Sequence, residues 1–300
     1  MKKMAVRRPT DDKGVTIVNP YQTILSQRGM SEFKALIQKW EAIAGSIRQK
    51  PAALPQILPD LFLVSDSGTG RTLLLRLLAD YLSVDERLME FYGDVKYVEF
   101  LLNYCPPEEY FSEIPRLMTE ISTAAGFRNE YRGIVYLDID PWVGHCEERH
   151  FLEFLEYVSD NSDNWLVVFS VSREKGREAI DELESLLSAF LRIERIALES
   201  PSASELTDFL IDRVKGYGFT FSEEAKALLT ETVTCLRKTE YFDGYKTVKR
   251  LGVDIVYAAC AAGKQENACL EVDDLAEFAP VGPYVSRQAV KIEKIKRIGF

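Results

Sequence analysis

The chain has 300 residues, of which 46% are hydrophobic and 28% are charged, and its formal net charge is −10. This composition is typical of a globular protein with one large and one smaller domain and excludes long disorder, while the acidic balance disfavours nucleic-acid binding. No apolar run approaches the ~20 residues of a membrane span, so we expect a cytoplasmic protein without a membrane partner.

Charge and cysteine placement add two expectations. The end segments 1–15 and 285–300 carry net charges of +3 and +4, which leaves a middle near −17. We expect these ends to be solvated or to contact an acidic partner, and no secretory signal follows the basic start. The five cysteines are scattered without a Cys-x-x-Cys pair, which predicts reduced thiols rather than disulfides.

Apolar spacing predicts a series of alternating helices and strands. The spacing from Met30 to Ile47 is that of one helical face, and a Pro-rich break follows it. Later apolar runs predict buried strands at Leu61–Val64, Val95–Leu102, Ile134–Asp138 and Trp165–Val171, with helices at Leu73–Leu82 and Phe151–Val158. This alternation predicts an α/β fold with a doubly wound, mostly parallel sheet.

After Ser200 the strand patterns stop and three helical patterns follow, which predicts a small all-α lid. We therefore divide the chain into a basic N-terminal leader, a large α/β domain, a helical lid domain and a basic C-terminal tail. Their ranges are 1–25, 26–198, 199–279 and 280–300.

The segment 65–72 reads Ser-Asp-Ser-Gly-Thr-Gly-Arg-Thr, in the frame of the phosphate-binding loop Gly-x-x-x-x-Gly-Lys-Ser/Thr. Such a loop turns backbone N–H groups onto an anion at a helix N-terminus. The candidate phosphate-binding residues are Ser67, Gly68, Thr69, Gly70, Arg71, Thr72 and Leu73, and Thr72 is also a candidate Mg²⁺ ligand.

Two signature positions of this loop differ. Ser65 replaces the first glycine, which predicts a strained or altered backbone. Arg71 replaces the lysine, so that a planar guanidinium stands in place of a compact ammonium. A glycine-serine turn without a ligand is the alternative interpretation.

Asp138 ends an apolar strand, where the second ATPase motif places a Mg²⁺-binding aspartate. In ATPases that hydrolyse ATP the next residue is a glutamate, whereas in this sequence it is Ile139. Asp140 shares the face of Asp138 and is a candidate substitute base. The alternative is that Asp140 only caps the turn before Pro141.

These landmarks, from about Ser26 to Gly263, resemble the AAA+ ATPases of the group that holds stage V sporulation protein K and the red-type Rubisco activases. Gly29 to Lys34 is similar to the entry helix, and Phe242 to Leu251 is similar to the lid motif Phe-Gly-Asn-Ala-Arg-x-Val-Arg-Asn-Leu. The resemblance places Lys246 at the lid arginine that senses the γ-phosphate.

The resemblance also places Leu191 at the arginine finger, with Arg192 adjacent as a candidate and a plain surface position as its alternative. The first sensor strand offers Ser170 and Ser172. The family implies ATP or ADP with Mg²⁺, held by Thr72 and Asp138, and other protein subunits as partners, including copies of the same chain.

Four departures from the family pattern, at Arg71, Ile139, Leu191 and Lys246, predict weak or absent hydrolysis. We therefore expect a nucleotide-regulated or structural module in a protein assembly. Two alternatives stay open: an active remodelling ATPase that uses Arg71 and Asp140, and a protein-interaction scaffold without nucleotide.

Two rival patterns are weaker. His145 to His150 contains metal-ligand types, but residues five apart lie about 140° apart around a helix, so the two histidines would not share a face. The pair Asp138 and Asp140 resembles the paired acids of glycosidases, a chemistry in which the glycine loop has no role.

Overall fold

A computed structural model describes residues 19–47, 58–84, 97–124, 133–161, 165–239 and 242–286. The predicted leader up to residue 18, the tail from residue 287, and residues 95–96 of the predicted second strand lie outside these described residues.

Helices and strands alternate up to residue 198, as the apolar runs predict. Short 3-10 segments are Asp140–Trp142, Arg173–Lys175 and Asp273–Phe278. In chain order the elements are α1 (Pro20–Ser26), α2 (Ser31–Ile47), β1 (Asp60–Ser65), α3 (Arg71–Val84), β2 (Tyr97–Leu101), α4 (Tyr110–Ala124), β3 (Gly133–Asp138), α5 (Arg149–Asp160), β4 (Trp165–Val171), α6 (Arg177–Phe190), β5 (Ile193–Leu198), α7 (Ala203–Lys215), β6 (Thr220–Phe221), α8 (Glu223–Leu236), α9 (Gly244–Ala261) and β7 (Cys269–Leu270).

The main sheet has the strand order β2-β3-β4-β1-β5, and all neighbouring strands are parallel. This confirms the predicted α/β class. Strands β1 and β4 are buried at every residue because helices cover both faces of the sheet. β5 was not predicted, because it is an edge strand whose charged Glu194 and Arg195 interrupt the apolar run.

Strand alternation divides the sheet side chains between two cores. Tyr136 and Val168 join the core with α1, α2 and α3, where Ile24 and Trp40 are fully packed. Val135 and Val167 point the other way, into the core with α4, α5 and α6. The carboxyl ends of β1, β3 and β4 therefore meet next to the start of α3.

The segment after β5 packs around a third core, in which α7, α8 and α9 contribute Leu210, Leu229 and Leu251. It is not purely helical, which corrects the sequence analysis. Strands β6 and β7 pair in parallel, and Phe221 and Leu270 of this pair are buried in the same core. A ladder of two residues per strand is too short to give a periodic signal in the sequence.

Candidate functional site

The glycine loop, residues 66–70, connects the carboxyl end of β1 to the start of α3. Gly68 and Gly70 have φ values of +72° and +101°, which L side chains rarely adopt. Thr69 is buried, and its hydroxyl donates to the carbonyl oxygen of Asp66 at 2.9 Å. The loop thus places two left-handed glycines directly before the N-terminus of α3.

Ser65 does not strain this loop, contrary to the sequence expectation. It is the last residue of β1 and pairs with Leu198 of β5, so its backbone is extended. Its side chain is 1% exposed, and its hydroxyl has no hydrogen-bond partner among the described residues. Serine replaces glycine here without a left-handed backbone.

The start of α9 lies directly on the glycine loop. The Tyr245 N–H donates to the Gly68 carbonyl oxygen at 3.3 Å, and the Ser67 hydroxyl donates to Asp243 Oδ1 at 2.8 Å. A Cβ added to Gly68 would lie under 3.0 Å from the backbone of Asp243, and one added to Gly244 would lie under 3.0 Å from the Gly68 carbonyl. Two glycines are therefore required where the lid meets the loop.

Lys246 has a different partner from the one that the sequence analysis expected. A phosphate, Asp138 or Asp140 was expected, but the ammonium forms an ion pair with Asp243 at 3.0 Å and its side chain is 78% exposed. Burial acts to raise the pKa of Asp243, but hydrogen bonds from Ser67 and Lys246 outweigh it and lower that pKa. The change arises because α9 begins on the loop and Asp243 lies three residues before Lys246, one helical turn away.

Arg71, the first residue of α3, folds back onto the ends of β3 and β4. Its Nη1 lies 3.0 Å from the Tyr136 hydroxyl, 3.4 Å from Ser170 Oγ and 3.8 Å from Asp138 Oδ2. These partners share one sheet face because Tyr136 and Asp138 are two residues apart on β3, and Asp138 is level with Ser170 of β4. Of the two sensor-strand candidates, Ser170 is therefore the one next to Arg71.

The two acids at the carboxyl end of β3 are held by backbone donors. The Asp140 N–H donates to Asp138 Oδ1 at 3.2 Å, and the Asp140 carboxylate accepts the Ser172 N–H. Burial raises the pKa of Asp138, and the hydrogen bond from Asp140 opposes this rise. Ile139, at the position of the missing glutamate, is fully buried.

Arg192 lies far from the glycine loop of its own chain. It directly precedes β5, so it is at the amino edge of the sheet, whereas the loop follows the carboxyl edge, about 17–20 Å away along a six-residue strand. Arg192 is exposed, and its carbonyl oxygen accepts the Asp60 N–H at 2.9 Å. The neighbouring Arg195 is bound to Asp181 and Glu184 at 2.9 and 2.7 Å.

A cavity of about 230 Å³ adjoins the glycine loop, and the sequence analysis did not identify it. It lies between residues 28–31, residues 197–201, Thr69, Glu205 and Tyr245. Gly29 and Met30 both have positive φ, +62° and +54°. Consecutive left-handed residues next to a cavity are a feature of ligand-binding segments, and Gly29 was the one signal for it in the sequence.

Mg²⁺, the metal that such a loop implies, fits this arrangement poorly. Its two expected ligands are Thr72 and Asp138, and Oδ2 of Asp138 already faces the Arg71 guanidinium at 3.8 Å. The histidine pattern also yields no metal site, since His145 stacks on Tyr104 at 3.9 Å and His150 is buried against Trp142. No group of three or more metal-binding side chains occurs in the described part of the chain.

Comparison with solved structures identifies the fold. The chain is similar to a Thermotoga maritima RuvB P216G mutant, with a TM-score of 0.50, 12% identity, and coverage of 82% of this chain and 69% of that one. It is also similar to C. elegans PCH-2, with a TM-score of 0.51, 13% identity, and coverage of 87% and 70%. The fold, a parallel five-stranded sheet with helices, matches that of these AAA+ P-loop neighbours.

The sequence comparisons add no closer relative, since no family model and no curated protein matches the chain. At 12–13% identity the structural likeness concerns the fold alone. Within the described segments, no helix is both long and apolar enough to cross a membrane.

Proposed function

We propose that this chain is an AAA+ nucleotide-binding module with weak or absent hydrolysis. The base of ATP or ADP would occupy the cavity next to Tyr245, and the phosphates would bind the N–H groups from Gly68 to Leu73. A cavity of 230 Å³ suits part of a ligand, such as a base, rather than a whole drug-sized molecule. The left-handed Gly68 and Gly70 next to this cavity carry the proposal.

The residues after Asp138 favour slow or absent hydrolysis of ATP. A positioned general base contributes about 10²–10⁴-fold to a rate. The residue after Asp138 is the buried Ile139, and Asp140 already accepts the Ser172 N–H. With no base aimed at the loop from these two positions, bound ATP would persist.

We propose that the module works in a protein assembly, as a nucleotide-regulated or structural subunit. Arg192 is exposed and remote from its own glycine loop, so it could reach only the site of a neighbouring subunit. The acidic body makes nucleic acid an unsuitable partner. The narrower kinship with the stage V sporulation protein K and Rubisco activase group belongs to this proposal and rests on the lid motif at 242–251.

The binding test uses calorimetric titration of ADP and of a non-hydrolysable ATP analogue. We expect Gly70→Val to abolish binding, because its Cβ would lie 2.9 Å from the Met30 methyl group beside the cavity and its side chain would crowd the phosphate-binding backbone. Gly263→Val is the matched control: its glycine also has positive φ, +78°, but a Cβ there meets nothing within 4 Å. Equal affinity in both variants would place the nucleotide elsewhere, and no binding by the unmodified protein would favour the nucleotide-free scaffold.

A further inference from the structure

The Arg71 guanidinium lies where a divalent cation would have to act. A Mg²⁺ ion at a phosphate loop needs the hydroxyl of Thr72 on one side and the carboxylate of Asp138 on the other. Arg71 Nη1 is 3.8 Å from Asp138 Oδ2, on the carboxylate that the ion would use. A positive side chain at this distance attracts the carboxylate and repels another cation that approaches it.

The other oxygen of Asp138 is also engaged. Its Oδ1 accepts the Asp140 N–H at 3.2 Å, and the Asp140 carboxylate in turn accepts the Ser172 N–H. Mg²⁺ requires near-octahedral oxygen ligands at about 2.0–2.1 Å. The Asp138 carboxylate is therefore shared between a backbone N–H on Oδ1 and the guanidinium beside Oδ2, and a Mg²⁺ ion bound to Oδ2 would have to displace the guanidinium.

Buried groups hold the guanidinium in this position. Ser170 is fully buried and Tyr136 is 6% exposed, so both anchors are fixed by the sheet. The contacts described above all use Nη1, and the Arg71 side chain is 32% exposed. Its remaining N–H donors can therefore face a phosphate.

We propose that the site binds the phosphates of a nucleotide without a divalent cation, with the Arg71 guanidinium in the cation's place. This inference rests on the proposed nucleotide site. A lysine could not maintain the same arrangement, because a compact ammonium on a flexible stem lacks the fork that reaches Tyr136, Ser170 and a phosphate together. Arg71→Lys should therefore free Asp138 and restore a role for the metal.

The test is calorimetric titration of a non-hydrolysable ATP analogue in excess Mg²⁺ and in excess EDTA. For the unmodified protein we expect dissociation constants that agree within about twofold between the two buffers. For Arg71→Lys we expect binding at least about tenfold tighter with Mg²⁺ than with EDTA. Arg76→Lys is the matched control, an exposed residue of the same helix, and should behave like the unmodified protein.

Each other outcome overturns the inference. Binding by the unmodified protein only with Mg²⁺ would overturn it while leaving the proposed nucleotide site intact. Mg²⁺-independent binding by Arg71→Lys as well would show that Arg71 does not replace the cation. No binding in either buffer would overturn both the inference and the proposed function.

Discussion

Asp60 is an acidic side chain buried at the amino end of β1, the end opposite to the one that leads into the glycine loop. It is 7% exposed, and its Oδ1 accepts the Val167 N–H at 2.8 Å. Burial raises the pKa of Asp60 to about 7, and the hydrogen bond only partly opposes this rise. Since the unfolded value is 3.8, the folded protein binds a proton here that the unfolded chain releases at neutral pH.

We therefore predict a stability loss with rising pH that comes from Asp60. Its contribution is fully present below pH 3.8 and is lost as pH rises to about 7, by on the order of 4 kcal/mol at most. Asp60→Asn keeps an acceptor for the Val167 N–H but cannot ionise. Urea unfolding of both proteins between about pH 4 and 8 measures the effect. The variant should gain stability relative to the parent as pH rises, and parallel pH profiles would contradict the prediction.

Single positions in the candidate site could be predicted from the sequence, but their partners could not. The spacing of Gly68, Gly70 and Asp138 follows from local motifs that each need particular residue types. The contact of Arg71 with Ser170 depends on the register of β3 with β4, which no local pattern determines. The pairing of Lys246 with Asp243 likewise depends on where α9 begins relative to the loop.

At the scale of elements, the contact between α9 and the glycine loop joins the two parts of the molecule. It is backbone on backbone at Gly68 and Gly244, reinforced by the hydrogen bond from Ser67 to Asp243. A side chain cannot rotate out of a clash that its own Cβ makes with a backbone. A single added methyl group would therefore increase the distance between the start of α9 and the glycine loop.

We predict that Gly244→Ala separates α9 from the loop and lowers the free energy of unfolding by about 1–3 kcal/mol. Hydrogen exchange should show faster exchange of the Tyr245 amide, which donates to the Gly68 carbonyl oxygen. Gly263→Ala serves as the control, since it also introduces a methyl group at positive φ but into open space. An equal response of the Tyr245 amide in both variants would argue against a lid held by this contact.

Among the elements, sequence patterns identified β1, β2, β3 and β4 and missed β5, β6 and β7. β1, β3 and β4 were predicted within one residue at most ends because both faces of each are buried. β5 is an edge strand with charged residues, and β6 and β7 have only two residues each. Their existence depends on pairing with distant segments, which the local sequence does not encode.

At the scale of the whole molecule, the fold places the glycine loop, the cavity and the start of α9 side by side, although they come from distant parts of the chain. Hydrolysis needs a general base after Asp138. The two residues there are the buried Ile139 and Asp140, whose carboxylate accepts a backbone N–H. We infer a site suited to holding a nucleotide rather than to turning it over.

One measurement tests this claim most directly. The protein is incubated with labelled ATP, separated from free nucleotide by gel filtration, and the retained nucleotide is identified. We predict that intact ATP is retained, with turnover well below ~1 per second, the lower end of ordinary enzymes. Retained ADP with faster turnover that Asp138→Ala abolishes, or no retained nucleotide at all, would contradict it.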